Sequence, residues 1–382
     1  QTFNNIKKMK NLFKISMLSI VVLISSCSKD NDPDPVSCEL TDTPTTYAFT
    51  DADGNNTVSF SGQIARLEKA KEVYDMMNAD LTVTSADITA LIDDANSKLL
   101  TKTAENDPNR AVIIATLNSV FDSYAASSSA FEAGTAAAEG VAGIDAFGYE
   151  LDARGWEADQ QFAKALIGAL CLEQNAYDYL TKIDLANNNV APDGDNAYTK
   201  SEHYFDEAFG YVYGLDEDFG ATASISGDNK LLLGKYLTKH DGTSAQGEDL
   251  LGNVYNAYLM GRQAIVDNCE EELNRNIEII NINLSKVVAF HAADYLRKSA
   301  EGALDPTSTF HHAISEGWGF VMSLQFTKMA DGMPLFSHTE VNDMLETLDA
   351  GDNGAYSLRS VDGAATLNAM ADQIDAAVAA SK

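Results

Sequence analysis

The chain has 382 residues, with 57 acidic and 26 basic side chains and a formal net charge of −31 at pH 7. A surface this acidic repels nucleic-acid phosphates and anionic lipid headgroups, which excludes both as charge-driven partners, and it attracts cations. With 45% hydrophobic residues, the chain can bury a sizeable core.

In chain order, the first segment reads as a targeting signal. Lys7, Lys8, Lys10 and Lys14 form a basic region, Met9 is a candidate start, and residues 15–24 are apolar but too short to span a bilayer. Ile24-Ser25-Ser26-Cys27 resembles a bacterial lipobox, whose cysteine carries lipid after cleavage. Residues 1–27 are therefore expected to be a lipoprotein signal peptide, with Cys27 lipidated. The expected location is the bacterial cell envelope, anchored to the outer membrane. Ser28-Lys29-Asp30 resembles signals for export to the cell surface. Residues 28–46 read as a flexible acidic tether, with Pro33, Pro35 and Pro44 and little to bury.

The remainder, 47–382, is expected to be a helical domain. It opens on a short β-hairpin, with 47–50 and 57–60 flanking a turn at Asp51–Asn56. The Asp-x-Asp-Gly pattern there fails as an EF-hand loop, because its twelfth position is Gly62 rather than Glu. Helical periodicity follows over 63–78, 85–102, 110–126, 155–185, 249–267, 273–299 and 361–380. The Ala-, Gly- and Ser-rich stretch 125–143 reads either as a loosely packed helix or as an extended excursion. The fold class is all-α.

The chain repeats itself. Residues 203–215 (HYFDEAFGYVYGL) match 312–324 (HAISEGWGFVMSL) at a shift of 109, and 176–182 (AYDYLTK) match 292–298 (AADYLRK) at a shift of 116. The difference falls in a longer polar loop at 186–197 of the first copy. A repeat of this length implies a duplicated domain, with halves of roughly 61–248 and 249–382, rather than a solenoid.

The repeated blocks carry the candidate chemistry. His203 and Glu207, like His312 and Glu316, stand four apart, on one face of a helix. Thr199 and Glu202 form a capping box that puts His203 in the fourth helical position, and the repeat makes Ser308 the N-cap before His312. The positive helix terminus favours a neutral imidazole, the form that ligates metal. Two imidazoles and two carboxylates brought together by the halves would suit zinc or iron. Glu202, Asp206 and His311 extend the set. Arg262 is either a buried partner of these carboxylates or a surface arginine, the latter preferred. The bland alternative is that both pairs are structural, with Gly210 and Gly319 marking close helix packing.

Other residues weigh less. His240 and His338 lie in loop-like contexts and read as solvated, and His291 aligns with Asn175. Cys171 and Cys269 either pair, if their helices pack together, or lie buried as small apolar residues, the preferred reading. Phosphate-cradling and serine-hydrolase motifs do not occur, and no recognised catalytic motif does.

The lipoprotein start, residues 59–78, Lys200–Gly214, 261–266 (GRQAIV) and Phe310–Leu324 together resemble an uncharacterised family of bacterial lipoproteins of the imelysin-like group. That resemblance implies two four-helix bundles related by internal duplication, and a link to iron acquisition beside an outer-membrane receptor. It also brings a second activity into view, metal-dependent peptidase action with Glu207 or Glu316 as general base. The chain departs from the group's Gly-x-His-x-x-Glu pattern: three residues separate His312 from Glu316, and Phe310 stands two before His312. The leading expectation is a lipid-anchored protein that captures metal, iron foremost, through His203, Glu207, His312 and Glu316. A surface scaffold with structural His–Glu pairs is the third reading.

Overall fold

The computed structural model describes residues 38–79, 81–226, 231–243 and 245–381. The expected signal peptide and Cys27 lie outside the described residues. In chain order the helices are α1 (Ser61–Met76), α2 (Ser85–Ile92), α3 (Leu99–Lys102), α4 (Arg110–Glu132), α5 (Ala158–Leu166), α6 (Lys200–Tyr213), α7 (Leu233–Leu237), α8 (Leu250–Val266), α9 (Glu270–Gly302), α10 (Phe310–Ser323), α11 (His338–Leu348) and α12 (Val361–Ala380). The all-α class holds. Polar side chains start several helices: Thr84 with Asp87, Thr199 with Glu202 and Ser337 with Glu340 form reciprocal capping boxes.

The long α9 is the axis of the C-terminal part, packing against α8, α10 and α12. On its other side α10 lies against α5, while α6 lies against α1 and α8. Both expected packing glycines sit at tight crossings. A Cβ on Gly210 would fall 2.7 Å from Phe60 Cβ of the segment leading into α1, and one on Gly319 would fall 2.5 Å from Lys164 Cβ of α5. The α1–α6 and α5–α10 crossings are thus built the same way.

The helix expected over 155–185 starts at Ala158 and changes character after Leu166. It continues as π-helix through Ile167–Leu172 and Gln174–Asp178, then as a 3₁₀ turn at Tyr179–Thr181. The cause is visible at the α10 contact. The Ser323 hydroxyl accepts from Gly168 N at 2.9 Å and donates to Lys164 O at 2.7 Å. It thus occupies the place of the i→i−4 bond between those two groups, which widens the turn.

Several expectations need correction. The N-terminal hairpin is reduced to an isolated bridge between Thr50 and Asn56. Asp51 Oδ1 does organise the turn, accepting from the amides of Asp53 and Asn55. Tyr47, Phe49 and Phe60 are buried in the core, and across the turn Phe49 O accepts from Thr57 N at 3.0 Å. The two-stranded sheet lies elsewhere, at β1 (Gly143–Ile144) and β2 (Glu150–Leu151), antiparallel, in the excursion after α4. The stretch read as tether is fixed to the body from Cys38 onward: Cys38 is disulfide-bonded to Cys269, and Thr41 N and Oγ1 donate to the Asp267 carboxylate at 2.8 and 2.6 Å. Cys269 therefore does not pair with Cys171, which is a buried free thiol as the apolar reading had it. Ser308 is not a helix cap. Its hydroxyl donates to Gly302 O and Asp305 O, closing the end of α9, and α10 begins one residue later, after Thr309.

Candidate functional site

His312 lies in the first turn of α10, half-buried, and each edge of its ring is engaged. Nδ1 is 2.7 Å from Glu157 Oε2, and Nε2 is 3.5 Å from Glu316 Oε2. Tyr149, just before β2, stacks on its face at 4.4 Å and 13° from parallel. Glu157 is the residue that starts α5, so its buried carboxylate reaches α10 because α5 and α10 pack together.

Glu316 is held from the other side. Its Oε1 accepts from the Tyr236 hydroxyl at 3.0 Å and lies 3.2 Å from the Lys164 ammonium. Lys164, itself buried, donates also to Gln160 Oε1. Nearby Asp159 is buried and accepts from Asn78 and Gln160 at 2.8 Å each.

The charges follow from burial and these partners. Burial pushes the Glu157 carboxyl up to about 7, against the opposing hydrogen bond and charge of His312. Burial by itself would lower His312, but the Glu157 hydrogen bond and the Glu157 and Glu316 charges carry it above the usual imidazole value. Burial would likewise raise Glu316, but Lys164 and His312 hold it below the usual carboxylate range. Burial thus favours the protonated Glu157 carboxyl, the two carboxylates favour the charged His312, and Lys164 and His312 favour the ionised Glu316. When His312 is neutral with its proton on Nδ1, toward Glu157, the Nε2 lone pair is directed to the side of Glu316 Oε2. His312 and Glu316 line a cavity of about 580 Å³ with Tyr295, Lys298, Thr309 and Ala313.

The same arrangement recurs on α6 with weaker partners. Tyr198 stacks on His203 at 4.5 Å and 14°. His203 Nδ1 donates to the Ser59 carbonyl at 3.1 Å, where His312 has a carboxylate. His203 Nε2 is 3.8 Å from Glu207 Oε2, and Glu207 Oε1 accepts from Gln63 at 3.1 Å, where Glu316 has Lys164. Among the described residues the two pairs share no hydrogen-bond, ion-pair or stacking partner, and no group of three or more His, Cys, Asp or Glu side chains is disposed to hold a metal ion. The structure thus offers two separate two-residue constellations.

The remaining candidates are occupied by structure. Arg262 is fully buried, not a surface arginine. It donates from Nε to Asp206 at 3.0 Å, from Nη1 to Glu202 at 2.8 Å and from Nη2 to Thr57 at 3.0 Å. Asp206 accepts also from the Tyr47 hydroxyl and Ser59 N, and burial raises it to about 6 despite the Arg262 charge. This cluster fastens residues 47–59 to α6 and α8. His311 turns away from His312: its Nδ1 donates to Gly155 O at 2.8 Å, and burial lowers it to about 4. Gly155 has φ +82, and a Cβ there would meet the His311 ring at 2.7 Å.

His240 is buried rather than solvated, its Nε2 3.3 Å from His291 Nε2. His338 is half-buried, with Nδ1 2.6 Å from Gln325 Oε1.

The sequence reading missed Glu157, Lys164, Tyr149 and Tyr236. A signal existed for Lys164. Gln63-Ile64-Ala65-Arg66 in α1 matches Gln161-Phe162-Ala163-Lys164 in α5, a third short repeat at another offset. Its register places Ser59 opposite Glu157, the very groups that receive the two Nδ1 atoms.

No curated protein and no solved structure matches the chain. The helical body described above falls almost wholly within one family's span: the chain belongs to the family described as Domain of unknown function (DUF4856), whose model matches residues 44–379.

Proposed function

We propose that this protein is a metal-binding protein of the cell envelope, taking iron foremost, as an ion or within a small ligand, for an uptake system. His312 Nε2 and Glu316 Oε2 are its principal protein ligands, with His203 and Glu207 as a second, weaker pair. The lipid anchor read at Cys27 and an outer-membrane receptor as partner belong to the same proposal.

The observation that carries it is the orientation of His312. Metal-bound histidines commonly donate the second ring N–H to a carboxylate, which fixes the tautomer and strengthens the ligand nitrogen. Glu157 takes that role at 2.7 Å. His312 Nε2 and Glu316 Oε2 stand 3.5 Å apart and would be the two protein atoms that hold the ion, which would act there as a Lewis acid. The likeness to the imelysin-like group supports iron as the metal.

The test is elemental analysis of the purified protein after exposure to iron and to zinc, beside His312→Ala and His203→Ala. Stoichiometric metal that is lost in a folded His312→Ala variant is the expected result. Wild-type protein that takes up neither metal defeats the proposal. Chelator-sensitive cleavage of casein would move the assignment to a metal-dependent peptidase with Glu316 as general base.

A further inference from the structure

Glu173 stands between the two π-helical stretches and is buried, with 1% of its surface exposed. Its oxygens accept from Asn106 N at 2.8 Å and from Gln174 Nε2 at 2.7 Å, and among the described residues no cation pairs with it. The buried carboxylates of Asp206, Asp178 and Glu316 each have one, in Arg262, Lys182 and Lys164. A buried carboxylate without a counter-charge is costly, and burial pushes the Glu173 carboxyl up against the opposing hydrogen bonds of Asn106 and Gln174. A carboxylate offers about four acceptor positions, so about two are left open.

The backbone around Glu173 is held there under strain. Ala104 is fully buried at φ +51, a left-handed conformation unfavourable to any residue but glycine. Its amide donates to Ala169 O of the first π-helical stretch at 2.6 Å, as the Asn106 amide does to Glu173. These two bonds fasten the loop before α4 to a π-helix. Strained backbone and π-helical turns both concentrate at functional sites.

That loop and the segment leading into α11 enclose a cavity of about 290 Å³, with the Glu173 and Asp107 side chains in its lining and Tyr177, Pro108 and Pro334 as apolar walls. The lining includes no lysine or arginine. Its one histidine, His338, is engaged at both ring nitrogens, by Gln325 and by Asn342. Two neighbouring cations, Arg110 and Lys328, donate to Leu100 O and Ala176 O at 2.8 Å each, Lys328 standing 5.1 Å from the centre of the Tyr177 ring. Two carboxylates and no cation in the lining select a positive ligand. The volume lies just under the range of about 300–1,000 Å³ usual for ligand pockets, so the ligand is small.

We infer that this cavity binds a small organic ammonium, with its charged end at Glu173 and an apolar or aromatic body against Tyr177, Pro108 and Pro334. The cavity shares no lining residue with the one beside His312, so the inference stands apart from the metal-binding reading.

The experiment titrates the full chain by calorimetry at neutral pH with three probes of similar shape, phenethylamine, phenethyl alcohol and hydrocinnamate. Wild type should bind the amine about tenfold or more tighter than the alcohol, and hydrocinnamate not at all. Glu173→Gln keeps the shape and an oxygen acceptor for Asn106 N, and should reduce the amine to the affinity of the alcohol. Asp107→Asn, at a half-buried loop position, should lower amine affinity about two- to fivefold and leave the alcohol unchanged. Wild type that binds no probe, or amine and alcohol equally, overturns the inference. Amine bound undiminished by folded Glu173→Gln also overturns it, tracing the attraction to the net charge of −31 alone. If Glu173→Gln does not fold, Asp107→Asn decides: a loss confined to the amine supports the site, and wild-type amine affinity overturns it.

Discussion

The Tyr149 ring lies over the His312 imidazole at 4.4 Å and 13° from parallel, and Tyr198 covers His203 at 4.5 Å and 14°. Neither tyrosine is on the helix that bears its histidine. Each cap closes one ring face and confines rotation about the Cβ–Cγ bond, so that Nδ1 keeps its acceptor and Nε2 its direction.

Tyr149→Leu removes that confinement from the stronger site. Stacked aromatic pairs contribute about 0.5–1.5 kcal/mol beyond their area, so zinc affinity should fall about two- to tenfold with little change in melting temperature. Tyr149→Phe should retain it. Competition titration against a coloured chelator reads the difference; wild-type affinity in the leucine variant would show that the ring positions nothing.

Arg262→Met should be among the most damaging single changes. It strands the Asp206 and Glu202 carboxylates in the core, and breaking a buried pair from one side costs about 3–5 kcal/mol. Adding Asp206→Asn should restore part of that loss, because a neutral amide is cheaper to bury than an unpaired charge. Urea unfolding of the single and double variants measures both steps.

Gly319→Ala tests the α5–α10 crossing. The new methyl would lie 2.5 Å from Lys164 Cβ and 2.8 Å from Gln161 O, a backbone atom, and overpacking of this kind costs about 1–3 kcal/mol. Because Lys164 holds Glu316, the variant should weaken metal binding as well as stability. Gly210→Ala, at the α1–α6 crossing, should destabilise similarly while sparing the His312 site. Thermal melts and zinc titrations on the two variants separate these effects.

Acid should weaken the fold through buried histidines. Burial lowers His291 to about 2 and His311 to about 4, from an unfolded value near 6.5. Between those values the unfolded chain binds protons that the folded chain refuses. The stability present above about pH 6.5 is therefore lost progressively as pH falls, until each folded group protonates. His291→Asn, which copies Asn175 of the other repeat, should make stability less dependent on pH between 6.5 and 4, by about one proton's worth of slope. Urea midpoints across that range report the slope.

Cys269→Ser should cost stability through the unfolded state. The disulfide to Cys38 closes a separation of 231 residues, for which loop-closure entropy predicts about 5 kcal/mol as an upper figure. A lower melting temperature in the serine variant, matched by wild type under reductant, is the expected result.

Much of this protein is written locally. The capping box of Thr199 and Glu202, the i, i+4 placement of His203 with Glu207 and of His312 with Glu316, and the tight glycines 210 and 319 all depend on neighbours within one or two helical turns. They were legible because helix geometry converts short spacings into shared faces. The repeat was legible for the same reason, since duplicated packing keeps duplicated side chains.

What only the tertiary structure decided lies at crossings between elements distant in sequence. Arg262 reads as a surface residue until residues 47–59 fold over it, and Cys38 finds Cys269 only when that same N-terminal stretch docks. Ser323 rewrites the hydrogen bonding of a helix more than 150 residues away. The partners that make His312 chemically distinct from His203 arrive from α5 and from the loop before β2: Glu157 in place of the Ser59 carbonyl, and Lys164 where Gln63 serves Glu207. The sequence by itself settled which side chains share a helix face. Which of the two faces acquired a buried carboxylate and a buried lysine as partners was settled by the surfaces that packed against each.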